Sequence, residues 1–307
     1  MKLVMTLLCR NEADVVEAML DFHLHQGVNF VIATDNASED DTPCILEHYR
    51  RRGVLHLIHE SDLTHDQAVW VTRMARLAAR DYGADWVINS DADEFWWPTE
   101  GNLRDVLTHV SSDVAALAVS RMNFLPVERE DGPFWERMTI RETVSLNSLG
   151  KPLPPKMCHR TFADVEVNDG NHVVLRAGSP LMAIHAERLQ ILHFPMRSYR
   201  QFESKIRLGV EALERNPRLN PKQRPRWWHL LRKVFKRASP EIADGAAVGS
   251  TWKHLYYQYY RTGCLKDYYA VQILTPERLA DGIVSGSLVK DTRLRDLIRS
   301  LAATTGG

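Results

Sequence analysis

The sequence has little cysteine: Cys9, Cys44, Cys158 and Cys264, with no CxxC spacing among them. That excludes a zinc knuckle or a disulfide scaffold and fits a reducing compartment. Neither charge is in excess, with 39 Lys and Arg against 39 Asp and Glu, so the totals give no case for a nucleic-acid partner. No apolar run is long enough to span a bilayer. The opening "MKLVMTLLCRNE" returns to charge after one short run and carries no cleavage-site pattern, so it reads as a first strand and the expected address is the cytoplasm. Internal repeats and low-complexity linkers are also missing. With 307 residues, 44% apolar and 25% charged, the chain is long enough for one large domain or a domain with an extension.

What is present first is an alternation. "KLVMTLLC", "NFVIAT", "VLHLIH" and "DWVIN" read as buried strands. Between them lie helical stretches: Glu12 to Gln26, a segment from Thr42-Pro43 to Gly53, and one carrying Val71, Met74, Ala75, Ala78 and Tyr82 at helical spacing. Thr42 is placed to cap the second, with Pro43 in its first turn. Thr64-His65-Asp66-Gln67 has the form of a capping box for the third, with Gln67 reaching back to the Thr64 backbone. This order predicts βαβ units and a parallel sheet covered on both faces. From about Asp113 the strands shorten ("VAALAVS", "MTIRETVSL", "KMCHRTF", "HVVLR", "LQILHF"), which predicts a mixed sheet. After Pro195 the chain turns helical and basic, with no strong strand beyond Phe194.

Ligands of open parallel sheets bind outside the carboxyl ends of the strands. Polar residues gather there: Arg10-Asn11-Glu12 after the first strand, Asp35-Asn36-Ala37-Ser38 after the second, His59-Glu60-Ser61 after the third, Asp91-Ala92-Asp93-Glu94 after the fourth. Four such ends on one edge predict one site. An Asp-x-Asp alone arises by chance about once in a chain of this size. Placed directly after an apolar strand, its two carboxylates make a hard oxygen site suited to Mg²⁺ or Mn²⁺. The alternative is a solvated turn with Asp93 capping the next segment.

"CRNEADVVEAMLDFHLHQGVNFVIATDNASEDDT", "ADWVINSDADEF" and "LHFPMRSYRQFESK", in that order over the first two-thirds of the chain, resemble glycosyltransferases of the family 2 and family 92 type. The resemblance implies the GT-A fold, an α/β Rossmann-like class with a mostly parallel central sheet between helices. The catalytic domain would span 1–196, divided into a nucleotide half (1–112) and an acceptor-side mixed sheet (113–196), with 197–307 as a helical extension. It implies a metal-dependent, inverting transfer from a UDP- or GDP-linked sugar to a hydroxyl acceptor, whether glycan, lipid-linked or small molecule.

Carried over residue by residue, Asn11, Glu12, Asp35 and Asn36 match the nucleotide pocket, with Asp35 favoured for base or ribose. Arg73 falls on the helix that often lends a polar group there. Asp91 and Asp93 match the motif that holds Mn²⁺ or Mg²⁺ and reaches the ribose, and His193 the later histidine returning to the metal. Arg197, Lys205 and Lys156 are candidates for phosphate or acceptor contacts, against a reading as surface charge, and Glu94 adjoins the motif. For the general base the order is Asp169, His172, Glu187; the Glu-Asp pair common in family 2 is missing here. Trp96 and Trp97 read as packing more than as a sugar platform.

Between Lys222 and Arg237, "KQRPRWWHLLRKVFKR" has seven basic residues and no acid. It suits a helix packed on the catalytic domain or one lying peripherally on an anionic membrane. A nucleotidyltransferase on a related fold would show a glycine-rich loop after the first strand, and "LLCRNEADVV" has no glycine. A non-catalytic sugar-nucleotide or glycan binder that kept the fold is the remaining alternative.

Overall fold

The computed structural model describes residues 1–64, 66–215 and 254–305. The basic stretch at 222–237 lies outside them. In chain order the described strands are β1 (Leu3–Cys9), β2 (Phe30–Asp35), β3 (Leu55–His59), β4 (Trp86–Asp91), β5 (Glu94–Pro98), β6 (Ala116–Val119), β7 (Arg121–Asn123), β8 (Ile140–Glu142), β9 (Lys156–Arg160), β10 (Val165–Val167), β11 (Val174–Arg176), β12 (Ser179–Pro180), β13 (Ala183–His185), β14 (Leu189–His193) and β15 (Leu288–Lys290). The described helices are α1 (Val16–His25), α2 (Thr42–Arg51), α3 (Gln67–Arg80), α4 (Leu103–Thr108), α5 (Phe134–Arg137), α6 (Tyr199–Arg215), α7 (Leu265–Gln272), α8 (Pro276–Ser285) and α9 (Arg293–Thr305).

The main sheet runs β13-β6-β9-β4-β1-β2-β3. β1, β2, β3 and β4 pair in parallel, while β9 lies antiparallel between β4 and β6. The α/β class, the mostly parallel sheet and the mixed second half expected above are present. Period-two alternation explains why both faces are covered. Leu3, Met5 and Leu7 of β1 join Val31 and Ala33 of β2 in a core with Val16, Met19 and Leu20 of α1 and Leu46 and Tyr49 of α2. Val4, Ile32 and Val87 point the other way, onto Val71, Met74, Ala75 and Ala78 of α3. A second sheet, β5-β14-β7, stands beside the first.

Three details differ from the sequence reading. The helix start at Thr64 is displaced: α3 is capped from Asp66 without a side-chain cap bond, and Gln67 turns away to accept a hydrogen bond from the Gly170 N–H at 2.9 Å. Likewise α2 starts from Asp41, because the Thr42 hydroxyl accepts from the Glu12 N–H at 2.9 Å. Third, β15 lies beyond Phe194 and pairs antiparallel with β8, so the C-terminal segment returns to the middle of the chain. The rest of the described C-terminal part is helical, and α6 shares an aromatic cluster with Tyr256, Leu265 and Tyr269. Among the described residues no helix is long and apolar enough to cross a membrane.

Two core histidines are neutral in the fold. The His23 Nδ1–H donates to the Met19 carbonyl at 2.8 Å, and its Nε2 accepts from the Trp96 N–H at 3.2 Å. His159 Nδ1–H donates to the Arg160 carbonyl at 2.8 Å. Burial, partly offset by those carbonyls, lowers each to about 4. An unfolded histidine titrates near 6.5, so between about pH 6.5 and 4 the unfolded chain takes up protons that the native chain refuses. Stability is therefore full above pH 6.5 and declines as pH falls towards 4, by at most about 1.4 kcal/mol per pH unit for each histidine. Urea melts at pH 7.5 and 5.0 check this, with the slope reduced by one proton in His159→Leu.

Candidate functional site

The strand register builds the site. β4 ends at Asp91 and β5 begins at Glu94, so the tight turn between them carries the acidic cluster. β14 runs antiparallel to β5 with His193 opposite Glu94, and parallel to β7 with His193 opposite Asn123. The Phe194 N–H donates to the Asp93 carbonyl at 2.9 Å, closing the turn onto β14. A histidine 100 residues downstream is thereby brought to Asp93.

Internal cations, rather than solvent, offset the crowded carboxylates. Asp91 Oδ2 lies 2.5 Å from Lys156 Nζ, and its Oδ1 receives the Asn171 amide at 3.3 Å and that of Gln67 at 3.5 Å. Lys156 is 1% exposed and also lies 3.2 Å from Glu94. It is a buried cation of the cluster, neither a flexible surface lysine nor one open to an acceptor. Glu94 is wholly buried, with Arg121 3.5 Å away. Burial raises its carboxyl to about 7, against the pull of Lys156.

Asp93 has a separate set of partners. Its Oδ2 lies 2.5 Å from Lys205 Nζ, 3.7 Å from His193 Nε2 and 3.8 Å from Arg197. Burial alone would raise its carboxyl, but the charges around it, Lys205 first and Arg197 with it, overcome that and hold it below the usual range. Arg197 is itself fully buried. Its guanidinium contacts Glu12, donates to Asp14 at 2.7 and 2.9 Å, and donates to the Phe194 carbonyl at 3.0 Å. Arg197 is therefore no surface charge: it locks the turn after β1 to the end of β14. Glu12 belongs to this ion cluster. Burial, opposed by Arg197 and Lys205, raises it to about 7.

At the second and third strand ends the residues divide by role. Asn11 sits at a left-handed φ of 55°, its N–H on the Ser38 hydroxyl and its side chain accepting from the Glu39 N–H. The Asn36 amide donates to the Glu60 and Asp62 carbonyls. Both side chains are spent shaping loops. Arg73 pairs with Glu60 at 3.2 Å. Asp35 is different: it is 4% exposed, its Oδ1 has no hydrogen-bond partner, and its Oδ2 is 3.9 Å from His59. A buried acceptor left open is costly unless something else fills it.

The base candidates separate too. The turn Asp169–Asn171 docks on the start of α3, where Asp169 Oδ1 accepts from the Ala68 N–H at 3.0 Å. His172 comes next, with Nδ1–H donating to the Pro155 carbonyl at 2.7 Å, which leaves Nε2 as an acceptor. Burial first, then Lys156 and Arg121, push its imidazolium well below the ordinary value. Because Asn171 of the same turn touches Asp91, both candidates adjoin the cluster. Glu187 does not: it is exposed, ahead of β14, and a strand of that length sets it roughly 20 Å from the His193 end. Trp96 is fully buried, and Trp97 stacks on Phe22 at 5.6 Å with Arg293 over its ring; the pair is packing.

Sequence reasoning missed Asp14, Gln67, Arg121, Asn123 and Asn171. Two of them carried a signal: Asn171 follows the base candidate Asp169, and Gln67 stood out by its spacing from Thr64, which pointed to a local cap and not to the site.

For a divalent cation the donors are few. Among the described residues no three His, Cys, Asp or Glu side chains stand close enough together to hold one. Two do converge. Asn123 Oδ1 accepts from His193 Nδ1–H at 2.7 Å, which turns the Nε2 lone pair towards Asp93. A ligating histidine is commonly oriented in this way. One carboxylate, one imidazole and ligand phosphates fit Mg²⁺ or Mn²⁺.

The sequence model of glycosyltransferase family 92 matches residues 8–225. No curated protein sequence matches the chain. Among solved structures, residues 1–349 of S. aureus TarS in complex with UDP-GlcNAc are 14% identical, with 94% of this chain and 93% of that one covered at a TM-score of 0.41. The mannosyltransferase PcManGT from Pyrobaculum calidifontis, in complex with GDP-Man and Mn²⁺, is 17% identical, with 88% and 85% covered at a TM-score of 0.37.

Proposed function

The chain belongs to glycosyltransferase family 92, and from that premise we propose that it moves a sugar, with inversion, from a nucleoside diphosphate to a hydroxyl acceptor at the β4–β5 turn, assisted by Mn²⁺ or Mg²⁺. The observation that carries this reading is Asp93 facing His193 Nε2 at 3.7 Å with Lys205 and Arg197 beside them. An ammonium, a guanidinium and an imidazole nitrogen converge there on one carboxylate oxygen, and a diphosphate offers the ammonium and a cation further charged acceptor oxygens.

In the proposed reaction a bond forms between the acceptor oxygen and the anomeric carbon while the bond from that carbon to the diphosphate oxygen breaks. The open Asp35 Oδ1 accepts a hydrogen bond from base or ribose. Asp93 and His193 would hold the cation, which when bound would supply Lewis-acid stabilisation of the departing diphosphate. Lys205 adds a direct positive charge to that oxygen cluster. Arg197 keeps Asp93 and Glu12 in place from behind. The acceptor proton passes to Asp169, whose Oδ1 is pinned by Ala68 so that Oδ2 meets the hydroxyl, with His172 the next candidate. The nucleotidyltransferase alternative falls with the family assignment.

Titration with UDP and GDP, with and without Mn²⁺, tests the reading, together with a panel of their sugar conjugates. The expected result is a rise in melting temperature for one nucleotide, larger with Mn²⁺, and slow metal-stimulated release of that nucleotide from one conjugate. No nucleotide binding under any of these conditions would overturn it.

A further inference from the structure

We propose that Lys205 is an internal cation that fills the Asp93–His193 position until a donor diphosphate draws it away, so that metal and donor binding are coupled through this side chain. The inference rests on the metal reading above. Lys205 Nζ lies 2.5 Å from Asp93 Oδ2, the same oxygen that faces His193 Nε2. A Mg²⁺ ion bonded to that oxygen would approach it about as closely, within about 2.0–2.1 Å. A divalent ion and an ammonium on one carboxylate oxygen compete for it, because like charges this close repel strongly in a poorly solvated site.

Of the two partners, only the lysine can yield. Asp93 is 1% exposed on a turn held by the Phe194 N–H. The Lys205 side chain is 28% exposed and stands on α6 next to Ile206, which is buried with Phe202 in the aromatic cluster. That anchors the helix while a flexible four-carbon stem carries the charge. The other cations are committed. Arg197 is held by Glu12, Asp14 and the Phe194 carbonyl. Lys156 is enclosed between Asp91 and Glu94 at 1% exposure. One lysine is thus a permanent part of the cluster and the other a removable one. A diphosphate, with at least two negative charges, competes for the ammonium better than a single carboxylate does, and its arrival opens Asp93 Oδ2 to the metal.

The test is Mn²⁺ uptake, measured by loss of the free-ion electron paramagnetic resonance signal, for the parent, Lys205→Met, Lys205→Gln and Lys205→Arg, alone and with UDP or GDP. Both neutral variants should fold, checked by circular dichroism, because Asp93 keeps Arg197 and His193. Without nucleotide they should bind Mn²⁺ at least about tenfold tighter than the parent, and Lys205→Arg should bind it as the parent does. The nucleotide-induced gain in Mn²⁺ affinity should be large in the parent and much smaller in Lys205→Met and Lys205→Gln. Equal nucleotide-free affinity in parent and neutral variants, with nucleotide-supported uptake intact, overturns the lysine proposal alone. No Mn²⁺ uptake by any protein with either nucleotide overturns both it and the metal reading.

Discussion

Asp93→Asn is expected to lower kcat/KM for sugar transfer by about three orders of magnitude, roughly 4 kcal/mol of transition-state stabilisation, while the protein stays folded. The size reflects the groups that the carboxylate faces. Its Oδ2 is the meeting point of Lys205, His193 and Arg197, so the substitution removes the one charge that all three face. The fold survives because the contact that closes the turn is made by the Asp93 carbonyl, which Asn retains. Lys205 can turn into water, and Arg197 keeps Glu12 and Asp14. Asp91→Asn is the informative comparison. There Lys156 still has Glu94 at 3.2 Å, and a carboxyl raised to about 7 ionises more readily once Asp91 no longer repels it. The loss there should be smaller than at Asp93. Steady-state kinetics with matched circular dichroism spectra checks both; equal losses would mean that the two carboxylates act as one unit.

Much of this is legible in the sequence, for a physical reason. Strands buried on both faces read as unbroken apolar runs, and the polar residues that stop them mark the carboxyl edge of the sheet. That suffices to locate Asp35, Asp91 and Asp93. It does not say what each one meets. The partners of Asp93 come from three places: a strand end at His193, a buried loop at Arg197 and a helix at Lys205. Only the β5–β14 register brings them together. The same blindness to strand direction puts Glu187 among the base candidates: it neighbours "LQILHF" in sequence, yet β14 runs away from it towards the site. Gln67 misleads for a related reason. Its spacing from Thr64 matches a local cap, but a tertiary partner, the Gly170 N–H, wins the side chain. Repulsion within the acidic cluster looks like a demand for an external ion. Lys156, Lys205, Arg121 and Arg197 meet that demand from within, so the case for a metal rests on the geometry of Asp93 and His193.

The largest effect on stability should come from Arg197→Met. This guanidinium is 1% exposed and touches Glu12, Asp14, Asp93 and the Phe194 carbonyl. Removing one partner of a buried ion cluster typically costs about 3–5 kcal/mol. Asp14, with 44% of its side chain exposed, can turn to water, and Lys205 still pairs with Asp93, so the lower end applies: about 3 kcal/mol, or a fall in Tm of roughly 6–12 °C. The pH dependence separates this cause from mere loss of packing. Glu12 is raised to about 7 with Arg197 in place; without that charge it rises further. A carboxyl whose folded pKa exceeds its unfolded value of about 4.3 favours the native state only while it is protonated. That contribution is full below about pH 4 and is lost as pH rises through the folded value. Arg197→Met should therefore be penalised more at pH 8 than at pH 5, and Glu12→Gln in the same background should remove most of the difference. A penalty independent of pH would show that the arginine fills space rather than balancing charge.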